Sequence, residues 1–341
     1  MDSRKRYCEK QTEKNMSDRR TFLKGSLIAT LALGAAQAKE TEGELASSQW
    51  ISIIDLDRCD GCEGSSVPAC VNACRQFNED RFPKPAKPLQ PYWPQKTYED
   101  FSNSRDRIDR LTPYNWLYVE KIVMQNGKTV FAPRRCMHCF DAPCRKICPF
   151  GAIERSEQGA LQINPDVCFG GAKCRDVCPW QVPQRQAGVG IYLKVAPKFA
   201  GGGVMYKCDF CAERLKKGET PVCAQSCPQN AMSFLPLKEA VSKLQEIARG
   251  RYVYGLNENG GTATWYVSSV PFEEIRSVMQ KGKKAETNDG RAGFPAVEPA
   301  LEASSGWALA TLAAPVVAIG AAYLIAKRKK NQNQTESEDE K

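Results

Sequence analysis

Two apolar runs stand near the ends of the chain, and between them short alternating segments take the place of long periodic stretches. The first run, 25–36, follows the basic stretch SDRRTFLK at 17–24 and ends in small residues at 36–38, which predicts an export leader over 1–38. Arg19 and Arg20 are the pair that a twin-arginine leader needs, and translation starts at Met1 or Met16. The second run, 307–326, carries no charge; at ~1.5 Å per residue it can cross a hydrocarbon core of ~30 Å. It predicts a single C-terminal transmembrane helix over 306–326. Four cationic residues follow at 327–330, so the helix is expected to run from periplasm to cytoplasm, leaving 327–341 as a cytoplasmic tail.

Between the runs, WISIIDLDRC at 50–59 and GALQINPDVC at 159–168 each place a short strand before a cysteine turn. NWLYVEKIV at 115–123 and KTVFAP at 128–133 predict a hairpin. A helical rhythm at 237–248 leads into two strands, 251–269, around Asn259-Gly260-Gly261. Residues 77–112 are rich in proline and charge and lack cysteine, which suggests an extended surface wrap, against a partner or not. Domain organisation follows: a cysteine-rich unit over 49–235 carrying the 77–112 insertion, a helix and hairpin extension over 236–277, and a tether over 278–305.

Chemistry enters with sixteen cysteines, fifteen of which fall into four groups: Cys59, Cys62, Cys70, Cys74; Cys136, Cys139, Cys144, Cys148; Cys168, Cys174, Cys178; and Cys208, Cys211, Cys223, Cys227. Cys8 lies in the leader. Disulfides do not need repeated C-x2-C starts, and zinc is poorly served by unequal groups and closing C-P pairs. Three thiolates around one cubane, with the fourth reaching a neighbouring cluster, account for the spacing best. Pro149, Pro179 and Pro228 follow the last cysteines, and each is expected to start a short helix. The stretch 63–69 is an excursion between Cys62 and Cys70, a surface variation or a recognition loop. His138, the only histidine, either donates to a sulfide or fills a turn. One histidine and no C-x-x-C-H exclude a conventional haem site, and GGGV at 201–204 lacks the dinucleotide-binding pattern.

These groups resemble the four-cluster iron-sulfur subunits of the molybdopterin oxidoreductase family, and the leader and anchor resemble the periplasmic iron-sulfur subunit of membrane-bound nickel-iron hydrogenase. The resemblance implies an α+β fold with high loop content, built from tandem intertwined bacterial ferredoxin-like modules, and a crossed ligand pattern. By that pattern Cys59, Cys62, Cys70 and Cys227 hold one [4Fe-4S] cluster; Cys136, Cys139, Cys144 and Cys178 a second; and Cys208, Cys211, Cys223 and Cys74 a third. Cys168, Cys174 and Cys148 hold the remaining one, where Gly171 stands at the expected second-ligand position. A missing thiolate favours a [3Fe-4S] cluster; a four-iron cluster completed by water, hydroxide or Asp166, and no cluster at all, are the alternatives.

The net charge is +9; eight basic and four acidic residues lie in 1–38, so the remainder carries +5, too little to argue for nucleic-acid binding. With no catalytic arrangement in the sequence, the chain is expected to be a non-catalytic conductor. It passes single electrons between a catalytic subunit or c-type cytochrome and a polytopic quinone-reactive membrane subunit, in a hetero-oligomeric complex on the periplasmic face of the inner membrane. A hydrogenase complex is the leading reading, a molybdoenzyme or multihaem-cytochrome complex the alternative, and a structural or redox-sensing iron-sulfur module the reading of another class.

Overall fold

The segment WISIID becomes a strand buried on both faces, because its isoleucines meet apolar neighbours above and below while Ser52 is enclosed as well. The computed structural model describes residues 48–89, 98–195, 202–281 and 290–297. Along the chain the elements are β1 (Trp50–Asp55), α1 (Ala69–Phe77), β2 (Tyr118–Val123), β3 (Thr129–Arg134), α2 (Pro143–Lys146), β4 (Ile153–Arg155) and β5 (Leu161–Ile163). Then follow α3 (Lys173–Asp176), β6 (Gln184–Gln186), α4 (Tyr192–Val195), β7 (Val204–Tyr206), α5 (Ala212–Lys216) and α6 (Val222–Gln225). The last are β8 (Met232–Pro236), α7 (Leu237–Ile247), β9 (Tyr252–Tyr254), β10 (Thr264–Ser268) and α8 (Phe272–Lys281).

The main sheet has the order β8-β1-β10-β9. β1 pairs antiparallel with β8 and parallel with β10, Ser52 facing Thr264 and Asp55 facing Val267. Three two-stranded ribbons, β2-β3, β4-β5 and β6-β7, complete the strands among the described residues. In the β2-β3 hairpin Gly127 takes a φ of 82°, which lets the Met124 N–H meet the Lys128 carbonyl at 2.8 Å. The turn before β10 uses Asn259 at φ 55°.

The described parts of the insertion, 77–89 and 98–112, make contacts with the body. Its Glu99 accepts two bonds from the Arg175 guanidinium, at 2.7 and 2.8 Å, and one from Arg185 at 2.7 Å. Phe82 packs edge-on against Tyr114 and Trp116. The strap therefore spends its charge and its aromatic ring on its own chain. Residues 290–297, expected to belong to a tether, also dock: Arg134 donates to the Ala292 and Gly293 carbonyls and lies 3.9 Å from the Phe294 ring centroid. Phe294 is buried against Tyr254, Tyr266 and Phe272.

One expectation needs correction. Among the described residues no helix is long and apolar enough to cross a membrane. The longest, α7, has 11 residues, about 16 Å at the usual rise, against a ~30 Å hydrocarbon core. Among the described residues the fold class is therefore α+β with two tandem ferredoxin-like modules and no transmembrane helix, and the membrane-anchored periplasmic location finds no support there. The segment 306–326, the leader and its Arg19 and Arg20 lie outside the described residues.

Candidate metal centres

Each cysteine group begins with the same backbone turn. Two residues after its first cysteine the chain enters the left-handed region: Gly61 at φ 65°, His138 at 50°, Gly170 at 67° and Phe210 at 64°. In the first and fourth groups the next residue is left-handed too, Cys62 at 51° and Cys211 at 49°; turns of this kind bring successive N–H groups toward one point, a concavity suited to an anion. In the first and fourth groups an aspartate fixes the turn from inside. Asp60 Oδ1 accepts from the Cys62 N–H at 2.9 Å, and Asp209 Oδ1 from the Cys211 N–H at 3.0 Å. The third group keeps the turn although its second cysteine is absent.

A short helix then presents the third cysteine. Proline stands at the start in three groups, as Pro68, Pro143 and Pro221; in the third group Ala172 at φ 57° takes that place. The prolines after the last cysteines start reverse turns, which corrects the expectation of helices there. Cys148, Cys178 and Cys227 carbonyls accept from Gly151, Gln181 and Asn230 at 3.2, 2.9 and 3.1 Å. Proline's fixed φ suits the second position of such a turn. The next N–H then points back at sulfur: Ala152 to Cys148 Sγ at 3.4 Å and Ala231 to Cys227 Sγ at 3.3 Å.

Distant groups meet in pairs. Helix α1 of the first group packs on α6 of the fourth, and α2 of the second on α3 of the third. Cys70 lies in the electrostatic reach of Cys223 first, then of Cys59, Cys62 and Cys227, and Cys139 in that of Cys178, Cys136 and Cys144. Cys74 is surrounded by Cys208, Cys211 and Cys223, and these four line one interior cavity with Asn78 and Arg135. Cys174 faces Cys168 and Cys148, and also Cys144 and Cys178.

The donor set fits iron-sulfur centres. All fifteen described cysteines are free thiols, so the disulfide reading gives way. Among the described residues no three His, Cys, Asp or Glu side chains close on a single ion, as a tetrahedral zinc with Zn–S near ~2.3 Å requires. Burial pushes Cys59, Cys144 and Cys208 up to about 11 and Cys178 to about 12. Thiols held neutral in this way shed their protons only as metal binds, and the surrounding donors then serve the thiolates. Phe210 N–H reaches Cys208 Sγ at 3.4 Å and Asn78 Nδ2 reaches Cys74 Sγ at 3.7 Å.

Two cations that the sequence reading gave no role stand in this interior. Arg135 and Lys207 directly precede Cys136 and Cys208, and both are buried. Burial alone lowers each, yet neighbouring thiolates outweigh it and hold both above their ordinary values: Cys208 and Cys223 for Arg135; Cys136, Cys144 and Cys208 for Lys207. Their place just before a C-x2-C was the available signal. His138 is fully buried, 4.0 Å from the Phe210 ring, and its Nδ1 accepts from the Leu161 N–H at 2.9 Å. Burial, then the charges of Lys207, Arg135 and Arg155, hold it well below the usual range, so the ring is neutral and, with Nδ1 accepting, keeps Nε2–H as its donor. The 63–69 excursion stays largely at the surface, with Glu63 paired to Lys121 at 2.8 Å. Asp166 is exposed, and a built Cβ at Gly171 meets no heavy atom within 4 Å.

Comparison with known proteins agrees with the donor chemistry. Models of the 4Fe-4S dicluster domain match residues 58–152 and 127–236. The B subunit of the anaerobic dimethyl sulfoxide reductase of Escherichia coli K12 is 30% identical over 202 residues, 59% of this chain and 80% of that relative. YnfG, a probable anaerobic dimethyl sulfoxide reductase subunit of the same strain, is 29% identical over 197 residues, 58% and 78% of the two proteins. The uncharacterized ferredoxin-like protein YdhX, also of that strain, is 32% identical over 214 residues, 62% and 73%.

Proposed function

The chain belongs to the family of ferredoxin-type 4Fe-4S electron-transfer subunits that includes the B subunit of dimethyl sulfoxide reductase, and from that premise we propose that it is the electron relay of a molybdoenzyme complex. In this reading it carries single electrons between a catalytic molybdenum subunit and a quinone-reactive membrane subunit. The relatives favour this alternative over the hydrogenase reading. The observation that carries the proposal is the meeting of cysteines from distant groups in four adjacent sets.

Four centres are proposed. Cys59, Cys62, Cys70 and Cys227 hold the first; Cys74, Cys208, Cys211 and Cys223 the second; Cys136, Cys139, Cys144 and Cys178 the third, each as [4Fe-4S]. Cys148, Cys168 and Cys174 hold a [3Fe-4S] centre, a choice supported by the intact turn at Gly170 and the side-chain-free position 171. Bound there, the clusters supply one-electron redox chemistry. The protein's part is positional: it buries the thiolates, aims N–H groups at sulfur and separates the centres by short steps. Cys59, Cys62 and Cys227 on one side and Cys148 on the other are half-buried, as is Cys178 of the Cys136 set, while the thiols of the Cys74 set are buried. Electrons thus have outlets at the ends, and the Cys74 set is the most shielded step.

The test is anaerobic purification of the complex, followed by reduction with a quinol analogue and reoxidation with a molybdoenzyme acceptor such as a sulfoxide. Paramagnetic resonance of this chain's centres should report reduction and reoxidation, and the isolated chain should turn over no acceptor. Turnover by the isolated chain, or centres that stay oxidised during complex turnover, would reject the relay.

A further inference from the structure

The core between the two middle cysteine sets holds two buried cations that, among the described residues, form no ion pair with a carboxylate. Lys207 Nζ donates to the Cys208 carbonyl at 3.1 Å and to the Leu161 carbonyl. Leu161 in turn gives its N–H to His138, inside the turn of the second group. The lysine is thereby pinned between the two sets, in reach of the Cys136, Cys144 and Cys208 sulfurs. Arg135 sits on one side only. Its Nη1 lies 4.0 Å from Cys208 Sγ, its Nη2 donates to Ser52 Oγ at 2.5 Å, and its guanidinium lies against Phe210 and Phe234, 4.8 and 5.0 Å from the ring centroids. Among the described residues neither cation makes an ion pair with a carboxylate; the adjacent Asp209 gives its carboxylate to Arg81 at 2.8 Å. Taking a cation out of water is expensive unless an anion repays it. Here the anions within reach are chiefly cysteine sulfurs, with the Asp209 carboxylate, already bonded to Arg81, adding a smaller share at Lys207.

We propose that Lys207 and Arg135 are the built-in counter-ions of the two middle centres: Lys207 serves both and raises their reduction potentials together, and Arg135 raises that of the Cys74 set alone. The proposal rests on the reading that these sets hold iron-sulfur centres. A reduced centre carries one more negative charge than an oxidised one, so a fixed cation nearby favours the reduced form. In an interior that screens weakly, one charge at near contact is worth about tenfold or more in the reduction equilibrium. At the Cys168 set the buried Arg185, which donates to the Gly170 carbonyl at 2.9 Å, is already paired with Glu99 at 2.7 Å. The relay then has its most easily reduced steps in the middle, where a single electron can rest away from solvent. Both residues act through the centres' surroundings and touch no substrate; they are positioning residues.

Lys207→Met keeps the length and apolar stem but removes the charge. In anaerobically prepared protein with iron measured in the same sample, a redox titration followed by paramagnetic resonance should show both middle centres harder to reduce. The expected shift is about tenfold, ~59 mV for a one-electron couple, while the end centres move far less. Arg135→Gln should shift the Cys74-set centre alone, and Lys207→Arg should restore the wild-type pattern. Full iron with all four potentials unchanged, or an equal shift of all four, overturns the proposal. If the neutral variants lose iron, Lys207→Arg decides: iron regained with the charge supports it, and iron lost with the charge kept overturns it. A wild-type protein without iron would instead reject the underlying cluster reading.

Discussion

Gly171→Cys should add one iron per chain and abolish a three-iron signal, and the surroundings of that residue give the expectation its scale. The built Cβ meets nothing within 4 Å, and the backbone lies outside the left-handed region, so a side chain enters without strain. Loss of glycine's freedom in the unfolded chain even favours folding, by ~0.4–1 kcal/mol. The preceding glycine provides the control. At Gly170, φ is +67° and a Cβ would overlap the Gly203 carbonyl oxygen, so Gly170→Cys should cost ~1–3 kcal/mol and add no ligand. The assay is low-temperature paramagnetic resonance of oxidised, anaerobically purified protein with iron counted in parallel. Wild type should show a three-iron signal near about one spin per chain, and Gly171→Cys less than about a tenth of that with one more iron. Asp166→Asn should leave the wild-type signal intact. A folded Gly171→Cys protein with unchanged iron, unchanged signal and an alkylatable new thiol would refute the reasoning.

Cys227→Ser should alter the spectrum of the centre assigned to Cys59, Cys62 and Cys70, despite the sequence distance; a change confined to the Cys208 and Cys211 signals would reject the crossing. Glu99→Gln removes the acceptor shared by Arg175 and Arg185 and should lower stability by about 2 kcal/mol, read as a fall in melting temperature. Burial raises the Glu99 pKa, but the bonds and charges of Arg175 and Arg185 prevail and hold it below the usual 4.5. Its contribution is therefore complete above pH 4.5 and lost as pH falls through the depressed value, so the wild-type advantage should be constant from pH 8 to 5; a loss within that range would contradict the pairing. Gly203→Ala drives a Cβ into the Gln186 carbonyl oxygen at φ +141°, and should separate β6 from β7 at a cost of about 3 kcal/mol or more. Normal protection of the Val204 amide from hydrogen exchange would count against that.

Local features were legible in the chain and remote ones were not. WISIID reads as a strand from six residues, and the β2-β3 turn announces itself in Asn126-Gly127. Nothing near residue 50 says that its parallel neighbour is Thr264–Ser268, because a parallel partner sets no short-range pattern. The cysteine spacing carried the donor chemistry. It could not carry the roles of Lys207 or Arg135, whose meaning depends on enclosure rather than on type. The insertion was legible as a wrap, but its target was not, since Glu99 finds its arginines about 80 residues away. Phe294 was overlooked for the same reason: its aromatic partners lie on three other elements.

The crossing between the first and fourth groups also sets a timetable. Cys59 leaves the ribosome about 170 residues before Cys227, roughly ten to thirty seconds at ~5–20 residues per second. Strand β1 waits longer still, for β8 on one edge and β10 on the other. Through that interval the nascent chain displays the thiols of the first group and a sticky strand with both edges open, features prone to oxidation and to mispairing. In the proposed pairing, a message truncated before codon 227 would release a product unable to finish even its first centre.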